Sequence, residues 1–211
     1  MAYRQFYNYL PDNLDVIVEV GTCGGAEAID FEMNYQDAIV YTFEADPNKF
    51  VKLRKTLANH KRIRFMENGL GHTNEWKEFF QHKSCRGCNS YFDRYKEGDM
   101  ESIGIVPIRR LDNFGIKKID LLAMDCQGSE MDVLTGAGDI PIKYIILEMP
   151  SGKNPAHIEY EHNVPEGIDS VYKDAPSRDE ILRIMDAKGY RIIATHPENM
   201  IEDNVLFVKS T

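Results

Sequence analysis

Apolar runs of strand length alternate with helix-period segments from Leu14 onward. That alternation is the signature of a largely parallel sheet covered by helices, and it constrains the chain more than any other feature. Residues 14–20 (LDVIVEV) read as a first buried strand, residues 24–33 as the first helix, and residues 38–44 (AIVYTFE) as a second strand. Pro47 then opens a helix where its missing N–H is harmless, and Phe50, Leu53 and Leu57 follow at i, i+3 and i+7 as one apolar stripe. Residues 62–67 (RIRFME) fit a third strand.

Residues 69–112 break the rhythm. Their short aromatic runs, 75–81 and 102–108, look like antiparallel additions around a loop. Regularity returns at residues 118–125 (KIDLLAMD), a strand ending on a carboxylate, followed by a short helix over 128–137 closed by Gly138, and a buried strand at 142–148 (IKYIILE). Residues 150–176 shift to Pro, Gly and charge. That is long for a plain connection, so it is expected to be a mobile loop at an acceptor site. Ser177 and Glu180 form a capping box ahead of Ile181, Leu182 and Met185, with Gly189 as the stop. Residues 190–194 and 204–209 close the sheet as a hairpin turning around Pro197. The expectation is one α/β domain over 1–211, with 1–13 as an N-terminal extension, 69–112 as an antiparallel insertion and 150–176 as the acceptor-site loop.

Between the first strand and the first helix lies Glu19-Val-Gly-Thr-Cys-Gly-Gly25. Glycines are needed at such a turn because the backbone bends tightly and a ligand comes close to it. This places a cofactor at the carboxyl end of the sheet, contacted by Gly21, Thr22, Cys23 and Gly25. Glu44, nineteen residues past Gly25 at the end of the second strand, is placed to accept hydrogen bonds from both ribose hydroxyls. A dinucleotide site normally shows G-x-G-x-x-G with a helix N-terminus facing a pyrophosphate, whereas this turn is G-x-x-G-G with Glu19 two positions ahead of it. A carboxylate at Glu19 would repel a pyrophosphate and could order the amino and sulfonium end of S-adenosylmethionine. Charge and the closing hairpin therefore favour S-adenosylmethionine and a Rossmann-like methyltransferase fold over an NAD-dependent oxidoreductase.

From about Asp15 to Lys209 the chain resembles the FkbM family of S-adenosylmethionine-dependent methyltransferases. Val18 to Gly25 (VEVGTCGG) resembles the family's D-V-G-A-N-x-G turn, Phe43-Glu-Ala-Asp46 its F-E-P segment, Gly69-Leu-Gly71 its A-L-G, and Leu111-Asp112 its L-D pair. Residues 119–130 (IDLLAMDCQGSE) are similar to its I-D-L-L-K-I-D-V-E-G-x-E, and Asn204-Val-Leu-Phe207 to its close. The departures are Gln127 for the usual Glu, Ala123 for the usual Lys, and Thr22-Cys23 for Ala-Asn. The resemblance implies O-methylation of a hydroxyl on a sugar or small metabolite. It also adds Ala45, Asn68, Gly69 and Ser90 to the expected cofactor contacts. Gln127 removes one carboxylate from the reaction side, which keeps a non-catalytic cofactor-binding module open as an alternative.

Asp125, at the carboxyl end of a central strand beside the expected switch point, is the first choice for a polar group at the methyl-transfer centre. Glu130 is expected to cap or position the next helix. Proton removal from a hydroxyl acceptor could fall to His157 or His162 in the long loop, although exposed loop histidines are the commoner case.

Charge and cysteine content narrow the partners. Asp plus Glu is 34 against 25 for Lys plus Arg, a net charge of -9 that repels a phosphate backbone at long range. The one basic cluster, Lys49, Lys52, Arg54, Lys55, Lys61, Arg62 and Arg64, reads as a solvated helix face, with Phe50 and Phe65 on the buried side. A small-molecule or carbohydrate acceptor is expected, with no nucleic acid and no membrane. No apolar run approaches a membrane span and residues 1–10 lack the apolar core of a signal peptide, so a cytoplasmic chain is expected. Cys85-Arg-Gly-Cys88 is the one suggestive cysteine spacing among Cys23, Cys85, Cys88 and Cys126. Even with His82 nearby it lacks a full zinc ligand set, so no metal and free thiols are expected.

Overall fold

A computed structural model of the chain describes residues 3–85, 87–152 and 162–210. Its main sheet has seven strands: β1 (Val16–Val20), β2 (Ile39–Phe43), β3 (Ile63–Met66), β7 (Ile119–Met124), β8 (Ile142–Pro150), β9 (Tyr190–Pro197) and β10 (Glu202–Lys209). They lie in the order β3-β2-β1-β7-β8-β10-β9. The first five pair in parallel, while β10 runs antiparallel to both β8 and β9. The chain leaves β1 toward β2 and β3, then returns to lay β7 on the other side of β1. The carboxyl ends of β1 and β7 are thus the switch point at which open α/β sheets bind ligands.

Strand alternation divides the core in two. Ile17, Val40, Leu121, Ala123, Ile146 and Leu206 face one layer, made by α1 (Ala26–Asn34) and α2 (Pro47–Leu57) with Phe31, Leu53 and Leu57. Val18, Leu122, Met124, Ile145, Leu147 and Phe207 face the other, made by α3 (Glu130–Gly136) and α4 (Arg178–Ala187) with Val133, Leu134, Ile181 and Met185. Asp46 caps α2 by accepting from Asn48 N at 2.9 Å ahead of Pro47, and Ser177 with Glu180 forms the capping box of α4. Phe50 is only half-buried and meets Phe65 edge-on at 6.0 Å.

Three expectations need correction. The segment before β1 contains a 3-10 turn, Arg4–Tyr9, and Tyr3, Phe6 and Leu10 sit in the core beside Phe31 and Tyr35, so this segment is a packed part of one layer. Residues 69–112 hold a second sheet, in the order β4-β6-β5, from β4 (Gly69–Leu70), β5 (Glu75–His82) and β6 (Met100–Arg109). Within it β5 and β6 are antiparallel, but β4 pairs with β6 in parallel. The third concerns the segment expected to be mobile: Val164, Ser170, Val171 and Tyr172 are buried, packed with Phe92 and Tyr95 from the β5–β6 connection. The closing hairpin is also longer than expected: Pro197 is the last residue of β9, paired with Asp203, and the turn falls at 198–201.

Candidate functional site

At the end of β1 the backbone N–H groups of Gly21 and Thr22 both donate to the Phe43 carbonyl, at 3.0 and 3.2 Å, which ties the glycine turn to the end of β2. Gly21 adopts φ +87, and a Cβ there would stand 1.8 Å from the Asp125 carbonyl oxygen. The close approach of β1 and β7 thus requires glycine here, whether or not a ligand also comes near. Cys23 holds φ +49, a left-handed conformation that costs a non-glycine residue about 1 kcal/mol. Its N–H donates to Glu44 Oε2 at 2.8 Å, and Asp46 N donates to Glu44 Oε1 at 2.9 Å. Two backbone donors therefore fix the Glu44 carboxylate while further lone pairs stay available.

A cleft open to solvent lies at this switch point. Of the expected contacts, Gly21, Cys23, Glu44, Ala45, Asn68, Gly69 and Asp125 line it together. Thr22, Gly25, Glu19 and Ser90 do not. Thr22 is buried, and Gly25, at φ +82, is the left-handed entry to α1. Glu19 is 2 % exposed and accepts from the Thr42 hydroxyl behind the turn. Burial pushes its carboxyl up to about 8, so it holds a proton at neutral pH and does not supply the repelling charge the sequence suggested.

The cleft also contains residues that sequence reasoning missed. Phe43 and Leu70 supply apolar wall, and the second sheet adds Phe79, Gly87, Asn89 and Tyr91. Asn89 Nδ2 donates to Asp46 Oδ2 at 2.9 Å, which ties this cover to the base of α2. Lys49, expected on a solvated face, stands 3.5 Å from Glu44 and lines the cleft. The rest of the basic cluster is partly engaged elsewhere: Arg54 pairs with Glu67, and Arg62 donates to the Tyr35 and Glu32 backbone carbonyls. The usable signal for Lys49 was its place two residues after a helix-opening proline, where a side chain can reach back to the end of β2.

Beyond Asp125 the chain turns through Gln127 at φ +56 and Gly128 at φ +98. Ser90 donates to the Gln127 carbonyl at 2.7 Å, so it braces this turn and does not face the cleft. Every polar atom of the Gln127 amide is used. Its Nε2 donates to Asp125 Oδ1 and to Glu148 Oε2, both at 2.6 Å, and its Oε1 accepts from the Tyr172 hydroxyl at 2.6 Å. Burial raises both carboxyls above the usual range, Glu148 more strongly, and each acts on the other. A third carboxylate at position 127 would lack the two donors that hold this pair.

Beside this bridge lies a second cavity, open to solvent, with Gly128, Glu130, Glu148, Asp169, Ser170 and Tyr172 in its wall. Glu130 accepts from Cys126 N at 2.9 Å and Gly128 N at 3.1 Å, which are capping contacts at the start of α3. Burial raises its carboxyl to about 7. His162 accepts from Arg94 Nη2 at 3.1 Å and lines neither cavity, while His157 lies outside the described residues. Among the described residues no group of three or more His, Cys, Asp or Glu could hold a metal ion, and no helix is long and apolar enough to cross a membrane. Cys85 and Cys88 are joined in a disulfide, contrary to the expected free thiols, and His82 Nδ1 accepts from Ser84 N and Cys85 N at the same turn. Their closeness in sequence allows the bond once the turn brings the two Cα atoms to 5.4 Å.

Comparison with known proteins places these features in a family. Residues 19–192 match the Methyltransferase FkbM domain. The 2-O-methyltransferase NoeI of Sinorhizobium fredii (strain NBRC 101917 / NGR234) is 28% identical over 154 residues, which span 64% of this chain and 62% of that protein's length. Among solved structures, Aeropyrum pernix fibrillarin in complex with natively bound S-adenosyl-L-methionine is similar with a TM-score of 0.55 at 15% identity, over 98% of this chain and 72% of that one. The N-terminal domain of EvdMO1 with SAH bound gives a TM-score of 0.56 at 11% identity, over 99% and 79% of the two chains. At such identities the likeness speaks for the fold. The sheet order, the turn at Gly21 and the match from Glu19 to Ile192 agree: this chain belongs to the FkbM methyltransferase family.

Proposed function

We propose that this protein transfers a methyl group from S-adenosylmethionine to a hydroxyl of a carbohydrate or small metabolite. The observation that carries the reading is the cleft at the ends of β1, β2 and β7, in which two backbone N–H groups hold the Glu44 carboxylate at the wall. The donor set suits this cofactor. Glu44 would accept from the ribose hydroxyls, Ala45, Leu70 and Phe79 would flank the base, and Asn68 and Asn89 offer amides at the rim. Gly21 and Asp125 would face the methionine portion. When bound, the cofactor supplies an activated methyl group on a sulfonium, and holding the acceptor oxygen in line with it gives most of the acceleration.

The acceptor class follows from charge. The net charge of -9 disfavours a nucleic acid at long range, and the 2-O-methyltransferase relative supports a hydroxyl acceptor. Residues 162–176 contribute Asp169, Ser170, Val171 and Tyr172 to the second cavity, consistent with an acceptor-site role for this segment. We also place the chain in the cytoplasm. Thermal melts with S-adenosylhomocysteine and with NAD test the cofactor, since a ligand bound only by the folded state raises Tm. Incubation with S-adenosylmethionine and either methyl glycosides or RNA, read by S-adenosylhomocysteine release, tests the acceptor. Stabilisation by NAD alone would overturn the cofactor, and methylation of RNA alone would overturn the acceptor class.

A further inference from the structure

We propose that Glu148 is the catalytic residue that takes the acceptor's hydroxyl proton, with Asp125 behind it as the final proton store and Gln127 as the positioning residue that holds the two together. The inference rests on the methyl-transfer reading above and adds the group that accepts the proton. Asp125 lines the first cavity and Glu148 the second, and the Gln127 amide donates to both at 2.6 Å. The carboxyl pair bridged by Gln127 therefore stands where the two cavities meet. An acceptor entering through the second cavity would bring its hydroxyl to Glu148 at this junction, where it can also meet the cofactor's methyl group. The histidines fit less well: His162 bonds to Arg94 and lines neither cavity.

Burial raises both carboxyls and so favours a proton shared within the pair, and the stronger upward shift at Glu148 favours its side. In the transfer the hydroxyl O–H bond breaks and its proton passes to Glu148, while the proton already on Glu148 passes to Asp125. The bond from methyl carbon to sulfur breaks as the bond from methyl carbon to oxygen forms. The sulfonium loses its positive charge as the pair loses its negative one, so the site ends neutral overall. The groups facing Glu148 are Asp125 from β7, Glu130 from α3, Glu202 from β10 and Tyr172 from the connecting segment, and Arg94 bears on Tyr172 and Glu202. Glu130 and Glu202 reinforce the proton's retention, and Gln127 supplies the donors that a fourth carboxylate would not.

The test compares wild type with Glu148→Gln, Asp125→Asn and Gln127→Glu. S-adenosylhomocysteine binding, transfer to the methyl glycosides and the infrared carbonyl band of protonated carboxyls are each followed from pH 5 to 8. Wild type should show protonated carboxyls persisting above pH 6, Glu19 and Glu130 among them, and Glu148→Gln should remove one component of that band, a reading that needs no acceptor. Its kcat should rise with pH as the pair's remaining proton site empties. Glu148→Gln should lose at least about a hundredfold in kcat and lose that pH limb while binding S-adenosylhomocysteine within about threefold of wild type. Gln127→Glu should shift the limb to higher pH, which a purely structural role would not do. If wild type binds no S-adenosylhomocysteine, the cofactor reading falls and this inference with it. If wild type binds and turns over but Glu148→Gln transfers within threefold, the inference alone falls. An infrared band unchanged by Glu148→Gln overturns it even if that variant is too unstable for kinetics.

Discussion

Glu44 and Gly21 lie at the same mouth yet should fail in different ways when changed. Removing the Glu44 carboxylate takes away the expected ribose contacts, and hydrogen bonds to a charged group are worth about 1.5–3 kcal/mol. Glu44→Ala is thus expected to weaken S-adenosylhomocysteine binding about ten- to hundredfold while the protein stays folded, as calorimetry and a melt would show together. An unchanged Kd would remove Glu44 from the site. At Gly21 the obstacle is the Asp125 carbonyl, so Gly21→Ala is expected to lower Tm sharply with or without ligand. A Gly21→Ala protein that melts like wild type but cannot bind would show that the turn serves the ligand alone.

Glu19 gives a pH test with a definite sign. Its carboxyl is raised to about 8 in the folded state against the usual 4.5, so the folded state keeps a proton that the unfolded chain releases as pH climbs. Its contribution is full below about pH 4.5 and is lost as pH rises toward 8. The Tm of Glu19→Gln should therefore gain on that of wild type from pH 5 to pH 8, with cofactor affinity unchanged. Parallel melting curves for the two proteins across that range would refute the buried, protonated state. Sequence placed Glu19 at the right turn but on the wrong side of it, because strand alternation decides which way a side chain points and a turn motif does not. Glu44 and Asp125 were legible because each is the first polar side chain beyond a buried strand. Glu148 closes the apolar run of residues 142–148 in the same way and carried the same signal, although β8 itself runs on to Pro150. What hid its role was the Gln127 bridge, a contact across 21 residues that no local pattern encodes.

Among the elements, the second sheet matters most for the cleft. Its β5–β6 connection supplies Gly87, Asn89 and Tyr91, and the Cys85–Cys88 bond lies on that same connection. A closed loop this short removes only about 2 kcal/mol of chain entropy from the unfolded state, so its effect should fall on the cleft more than on global stability. Reduction, or Cys85→Ser with Cys88→Ser, is expected to weaken S-adenosylhomocysteine binding about three- to tenfold with a modest change in Tm. Equal affinity in both redox states would show that the loop holds its shape without the bond. Structural disulfides are rare in the cytoplasm, so thiol titration of freshly isolated protein also bears on the proposed location. Sequence showed that residues 69–112 depart from the α/β rhythm, since short aromatic runs are visible. It did not show that they fold over the cofactor cleft, because that depends on packing such as Asn89 against Asp46.

For the whole molecule, the sheet was legible almost strand by strand because its interior strands are continuous apolar runs. The packed segment before β1 was not. Tyr3, Phe6 and Leu10 follow a helix-like spacing, but six residues of aromatic and polar mixture carry little periodic signal. Phe6 is fully buried, so Phe6→Ala is expected to cost about 3–5 kcal/mol in chemical denaturation, with the cleft's ligand preference intact. A loss below about 1 kcal/mol would mean that the segment lies on the layer without supporting it.

The strand order also dictates when the protein can become itself. One edge of β1 has no neighbour until β7 arrives roughly a hundred residues later, and β10, the tenth strand to be synthesised, belongs inside the sheet between β8 and β9. A nascent chain emerging from the ribosome therefore carries an open strand edge through much of its synthesis, the kind of template on which other chains can pair. The pairings that complete the sheet span long stretches of sequence, which makes for slow closure. Expression at lower temperature or with slower initiation should raise the soluble yield through fewer encounters between unfinished chains, with no residue changed.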